Sequence, residues 1–421
     1  MSEGRREYSV ASAVAGPIAS SDVMTIPPRH IAMVASPAIS HVLPSLELIK
    51  ELVARGHRVT YATHESMSDA IKPTGAELVP MPTVLPVEDR QWPEDPVAGM
   101  GIFLDDAMLV LPHLHAFYDA EPADLYLYDI GGYAARALAE KQQRPFVQLS
   151  PTFVAWDGYA EEVGAQVRQL PGYDDYLDRF SAWLEEAGAT TLDLDTFAGA
   201  PKRALALIPR AMQPNADKVD ENVVTFVGPC FALDSDETWT RPAGAEHVLL
   251  VSLGSAYTGD ASFFRACIEA YAALPGWHVV MSIGTTLDPA ELGELPGNVE
   301  VHRWLPQRAV LAAADAFVTH AGMGGSSEGL MAGVPMITVP QAVDQFMNAD
   351  RLVELGVARR IDAEDVSAAA LRTALLELLE DPDRVARSAQ LRADALTEGG
   401  THRAADLIEG MLHRWSSRRS R

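Results

Sequence analysis

In the first half of the chain, His41 and Asp129 are the pair suited to moving a proton. His41 follows the apolar run HIAMVAS, and Asp129 closes the apolar run DLYLYDI. Both runs have the composition of buried strands in a parallel sheet. Residues just past such strands lie at the carboxyl edge, where open α/β sheets bind ligands. An imidazole of near-neutral pKa can take the proton from a hydroxyl as its oxygen attacks carbon. A carboxylate on the other ring nitrogen would fix the tautomer and steady the imidazolium. A helix-capping histidine and a turn aspartate fit the same pattern, and the residues alone leave both readings open.

The second half carries an anion-binding pattern between Trp304 and Asp350. The strand AFVTH ends in His320, and Gly322, Gly324, Gly325, Ser326 and Ser327 follow. A Gly-rich turn lets backbone N–H groups approach an anion closely. The helix behind it, expected to start near Ser326, adds the positive end of its dipole. His320 can donate to a phosphate oxygen there. Glu328, expected in the first helical turn, can accept from ribose hydroxyls. Trp304, in a Trp-x-Pro-Gln turn ending at Gln307, offers a flat face for a base. Asp344 and Gln345 open the next helix with groups that a sugar can hydrogen-bond. An ordinary βαβ unit explains the glycines alone; the full set in one order is far more specific.

These residues need a scaffold of alternating strands and helices, and the chain supplies it twice. HIAMVAS, RVTYAT, AELVPMP, DLYLYDI and PFVQLSP read as strands of a doubly wound α/β unit. Helices are expected over about 43–54, 96–120 and 133–141, and over 156–170 and 173–187. Tyr173, Tyr176, Phe180, Trp183 and Leu184 share one face of the last. HVLLVSLGSAY and WHVVMSIG restart the pattern, with three helices expected after Gly356. The expected organisation is a disordered tail over 1–28, a domain over 29–229, a linker over 230–245, a domain over 246–400 and a helix over 401–421.

Composition narrows the partners. A net charge of −25 makes nucleic acid and anionic membranes poor partners, so an anionic ligand must bind through local dipoles. No apolar run reads as a membrane span. Cys230 and Cys267 read as buried thiols. No histidine has metal-ligand spacing; His113 and His115, on a helix of the first half, keep a ligand-pocket role open.

Residues 304–350 resemble the donor-binding signature of the UDP-dependent family 1 glycosyltransferases, and among them the actinobacterial macrolide glucosyltransferases of the oleandomycin-inactivating type. Similar blocks run along most of the chain from about His30, among them LELIKELVARGHRVTYA, LSPTFVAWDGYAEEV, RPAGAEHVLLVSLGSAYT and HAGMGGSSEGL. The resemblance implies a GT-B fold, two Rossmann-like α/β domains facing across a cleft. It implies inverting, metal-independent transfer of glucose from UDP-glucose, with no cofactor, to an apolar macrolide-like acceptor. Antibiotic inactivation in the cytoplasm, by a monomer or homodimer, would be the role.

The same resemblance assigns the base to His41 and its partner to Asp129. Gly254 and Ser255 would face the pyrophosphate, and Gln345 would favour glucose over galactose. Plant relatives carry Asn and Ser where this chain has Gly324 and Gly325, so backbone N–H groups and Ser326 would serve instead. The helix over 401–421 would cross back to the first domain. Relatives commonly have Gly before the catalytic histidine and Asn-Pro after it; here the run is Ile39-Ser40-His41-Val42-Leu43-Pro44, which alters the acceptor loop. The competing readings are a dTDP-deoxysugar transferase and a non-catalytic ligand-binding GT-B protein.

Overall fold

Short apolar strands separated by helices favour parallel sheets covered on both faces. The computed structural model, which describes residues 27–87, 92–232, 238–254, 259–342 and 344–419, contains two such sheets. The first comprises β1 (His30–Val34), β2 (Arg58–Thr63), β3 (Glu77–Pro80), β4 (Leu125–Tyr128), β5 (Phe146–Ser150), β6 (Ala204–Ala206) and β7 (Val224–Phe226), in the order β3-β2-β1-β4-β5-β6-β7. The second comprises β8 (His247–Ser252), β9 (Trp277–Ser282), β10 (Val299–His302), β11 (Ala316–Thr319), β12 (Met336–Thr338) and β13 (Ala358–Arg360), in the order β10-β9-β8-β11-β12-β13. Every pairing is parallel.

Both orders reverse beside the first strand, between β1 and β4 and between β8 and β11. The connections there leave in opposite directions, which opens a crevice at the carboxyl edge. Val34 pairs with Tyr128, and Thr319 with Ser252. The residues after each pair therefore emerge side by side.

The helices that matter here are α1 (Ile39–Ala54), α2 (Pro96–Tyr118), α3 (Tyr133–Lys141), α4 (Tyr173–Ala187), α5 (Ala261–Tyr271), α6 (Gln307–Leu311), α7 (Met323–Ala332), α8 (Gln345–Glu354), α9 (Ala368–Glu380), α10 (Pro382–Thr397) and α11 (Gly400–Arg419). Helix α4 spans the expected range and buries the expected face. Side-chain caps start several others: Asp95 before α2, Asp260 before α5 and Ser367 before α9 each accept a first-turn N–H.

Two helices without such caps start earlier than the sequence reading expects, α1 and α7. Helix α1 begins at Ile39 behind Ala38, which has no side chain to cap with. His41 therefore sits in the first turn of a helix rather than in a loop, and Pro44 lies inside the helix instead of in its first turn. The range 156–170 forms only a π-turn at Ala160–Gly164 and a short helix at Ala165–Val167. Strand β13 was not expected, because its short run Ala-Arg-Arg lacks an apolar pattern and pairs at a sheet edge.

Helix α2 is 23 residues long and apolar enough, by length and composition, to cross a membrane, which corrects the expectation that no run reaches that length. Leu104, Leu114 and Tyr118 on it are fully buried within the first domain's core, so it reads as a helix of that core. Helix α11 packs on the first sheet's side of the molecule. Ala404, Ala405, Ile408 and Leu412 share a buried cluster with Leu48, Ile49 and Leu52 of α1. Arg55 donates to Asp406 at 2.6 Å and to Glu409 at 2.7 Å, tying α1 to α11. Both cysteines are buried free thiols.

Candidate active site

Asp129 leaves the end of β4 with its N–H bonded to the Val34 carbonyl of β1 at 3.2 Å. That register aims its carboxylate at the start of α1. Asp129 Oδ2 accepts from His41 Nδ1 at 2.6 Å and from the Ser36 N–H at 3.3 Å. Its side chain is 1 % exposed, whereas that of His41 is 21 % exposed. The pair thus has a dry carboxylate and a ring whose other nitrogen is left for a ligand. Burial by itself would depress the His41 pKa. The hydrogen bond and charge of Asp129, with the charge of Asp344 from the second domain, outweigh it and hold the pKa above its usual value.

Two glycines after Asp129 make this packing feasible. A Cβ on Gly131 would stand 2.4 Å from Ser36 Oγ, and one on Gly132 would stand 3.2 Å from Asp129 Oδ1. A cavity beside the pair is lined by Ser36, Thr63, His64, Met81, Asp106 and Val110. Asp106 accepts from Thr83 Oγ1 at 2.6 Å and the Val84 N–H at 3.0 Å. His113 and His115 do not line that cavity; His115 instead pairs with Asp119 at 3.0 Å.

On the second sheet, Gly254 follows β8 and His320 follows β11 across the same switch point. A Cβ on Gly254 would meet the His320 ring at 2.6 Å, and one on Gly322 would meet it at 2.4 Å. The ring is therefore clasped by two glycines. Burial lowers its pKa to about 4, with the Ser252 backbone offsetting little. His320 is thus neutral at pH 7 and carries one N–H, which can serve an anionic oxygen, without adding a full charge, in the tautomer that points it at the ligand. Ser255 lies outside the described residues.

Helix α7 starts at Met323 behind Gly322, three residues earlier than expected. Gly324 and Gly325 are thus in its first turn, where N–H groups have no intrahelical partner. Gly324 is exposed with open space around its Cα. The Ser326 N–H is bonded to the Gly322 carbonyl at 2.9 Å, while its buried hydroxyl has no hydrogen-bond partner among the described residues. Glu328 falls in the second turn, and its carboxylate accepts from Gln307 Nε2 of α6. Trp304 is 71 % exposed, so its ring face is open.

Asp344 precedes α8 and Gln345 opens it. Gln345 is 4 % exposed, and its side-chain oxygen accepts from the N–H groups of Gln341 and Ala342. Only its amide nitrogen remains to be offered outward, which narrows the expected sugar-binding role. Asp344 is held by Asn348 at 3.0 Å. Burial raises the Asp344 pKa, and the charge of His41 works against that shift. Asp344 and His41 each act on the other's charge across the two domains.

The sequence reading missed Ala321 and Asn348. Ala321 is a fully buried non-glycine residue at φ +60, the left-handed region. The available signal was helical spacing, since Asp344 and Asn348 are four residues apart on one face. Gly131 and Gly132 were equally legible as a pair just past an apolar strand.

Comparison with known proteins bears on this geometry. Residues 276–410 match the family described as erythromycin biosynthesis protein CIII-like, C-terminal domain. The chain is 51 % identical over 393 residues to the oleandomycin glycosyltransferase of Streptomyces antibioticus, with 91 % of each chain covered. The solved glycosyltransferase of kitacinnamycin superposes with a TM-score of 0.84 at 50 % identity, covering 91 % of this chain and 98 % of that one. The calicheamicin glycosyltransferase CalG4 superposes with a TM-score of 0.83 at 34 % identity, covering 92 % and 99 %.

Proposed function

The chain belongs to the family 1 glycosyltransferases of actinobacteria, enzymes of GT-B fold, and from that premise we propose that it transfers glucose from UDP-glucose to a hydroxyl of a macrolide-like natural product. The observation that carries the reading is the buried Asp129 carboxylate bonded to His41 Nδ1 at 2.6 Å, with the charge of Asp344 from the second domain acting on the same ring.

The acceptor hydroxyl sits at His41 Nε2, which takes its proton as the oxygen attacks the sugar's anomeric carbon. The Nδ1–H stays bonded to Asp129, whose charge stabilises the imidazolium that forms. Attack from the side opposite the leaving diphosphate inverts the anomeric centre. His320 and the α7 N–H groups at Met323, Gly324 and Gly325 receive the negative charge on the departing UDP. These neutral donors take the place of a divalent ion, so the transfer is metal-independent. Closure of the cleft keeps water from the same carbon. The biological role is inactivation or tailoring of an antibiotic.

A dTDP-deoxysugar donor is the second reading. It gains from Gln345, whose oxygen is engaged by its own loop and reads no sugar hydroxyl. The test is a panel of UDP- and dTDP-sugars against macrolide and flavonoid acceptors. Mass spectrometry gives the mass added, and proton NMR of the product gives the anomeric configuration. A hexose adduct of inverted configuration from UDP-glucose is expected. A retained configuration would defeat the mechanism, and turnover with dTDP-deoxysugars alone would select the second reading.

A further inference from the structure

Asn348 lies in the interior of α8 and is fully buried. Its one amide group donates twice, to the Ala321 carbonyl at 2.9 Å and to Asp344 Oδ2 at 3.0 Å. Both amide hydrogens are therefore committed, one to each side of the donor site. The Ala321 peptide sits between His320 and Gly322, the two residues packed against each other at the phosphate-facing turn. Ala321 holds φ +60 there, which a residue with a Cβ adopts only at a cost. Something must over-determine such a conformation, and two hydrogen bonds do so. The Ala321 N–H is bonded to Thr319 Oγ1 at 3.2 Å, and its carbonyl is bonded to Asn348.

We infer that Asn348 is the positioning residue that locks the strained His320–Gly322 turn and the Asp344 carboxylate into one fixed relation. The inference rests on the donor-site reading above. The turn faces the diphosphate and Asp344 faces the sugar, so one side chain sets the distance between the groups that hold the two halves of the donor. Asn is suited to this because a single planar NH₂ presents two donors at a fixed angle. Aspartate has nearly the same shape but would offer only acceptors to two acceptors, and would set a second carboxylate against Asp344.

The test is calorimetric titration of the full chain with UDP and with UDP-glucose, for the wild type, Asn348→Asp, and Asn348→Asp combined with Ala321→Gly. Glycine adopts positive φ without strain, so it replaces what Asn348 does for the turn and nothing of what it does for Asp344. Asn348→Asp is expected to weaken UDP binding about tenfold, and UDP-glucose binding by a larger factor. Adding Ala321→Gly is expected to recover most of the UDP affinity while the extra loss for UDP-glucose persists. A residue needed only for folding would lower the melting temperature and produce no such split. Should the aspartate variant not fold, Asn348→Ser, which keeps one donor, is read in the same way. A folded variant that binds both ligands within about twofold of wild type overturns the inference alone. A wild type that binds no nucleotide diphosphate overturns the donor reading and the inference with it.

Discussion

Replacing Asp129 by asparagine separates a catalytic pair from a structural one. Asp129 Oδ2 receives two N–H groups, from His41 and Ser36, and Oδ1 is buried without a partner. An asparagine that keeps its oxygen toward His41 and Ser36 puts its NH₂ in the Oδ1 position, where no acceptor waits. The flipped amide sets its NH₂ against the Ser36 N–H and makes His41 Nδ1 an acceptor. The proton then sits on Nε2, and the base is lost. In either case the charge opposite the imidazolium is gone. A charge-assisted hydrogen bond contributes about 1.5–3 kcal/mol, and about 1.4 kcal/mol is a tenfold change in rate. Stabilisation alone thus accounts for roughly 10- to 100-fold, and the wrong tautomer raises the expected loss in kcat to about 10²–10⁴. The pH profile carries a second signature. His41 acts as a base only when neutral, and its pKa is held above 6.5 against burial by Asp129 and Asp344. The acid limb of kcat/KM should therefore lie above 6.5 in the wild type and move downward in Asp129→Asn. The assay is initial rates with UDP-glucose at several pH values, alongside circular dichroism and UDP titration. A folded variant with kcat within about tenfold of wild type, or an unmoved acid limb, refutes the argument.

Four further outcomes follow from the same geometry. His41→Ala should lower kcat by about 10²–10⁴ with UDP affinity unchanged, because the nucleotide is held by the other domain; equal losses in both would place His41 in donor binding. Activity should survive excess EDTA, and a preparation revived only by added Mg²⁺ or Mn²⁺ would contradict the neutral-donor mechanism. His320 has a folded pKa near 4 against 6.5 unfolded, so its neutral burial contributes fully above pH 6.5 and is lost as pH falls toward 4. After allowance for partial exposure this amounts to about 2 kcal/mol, and wild type should lose more melting temperature than His320→Gln between pH 7 and 4.5; parallel curves would refute it. Ile408→Ala on α11 should cost about 2–5 kcal/mol in urea unfolding, and should lower kcat more than UDP affinity because α11 packs on the helix that carries His41; the reverse pattern would tie α11 to the donor domain.

Local patterns in the chain carried much of this. The alternation of apolar runs and helical periods determined two doubly wound units, and the aromatic spacing in α4 determined both its range and its buried face. An apolar run ending in Asp129, or in His320, determined that each lies at a carboxyl edge, since strand direction is shared throughout a parallel sheet. Tertiary structure decided the rest. Helices α1 and α7 start behind Ala38 and Gly322, which have no capping side chains, so packing sets those boundaries. Gln345 looks in sequence like a residue that faces a ligand, yet its own loop claims its side-chain oxygen, and packing buries the Ser326 hydroxyl. The His41–Asp129 bond joins residues 88 apart, and the Asn348–Ala321 bond joins residues 27 apart. Capping and periodicity act over one or two turns of chain, whereas such bonds depend on strand register and on how a helix settles against its sheet.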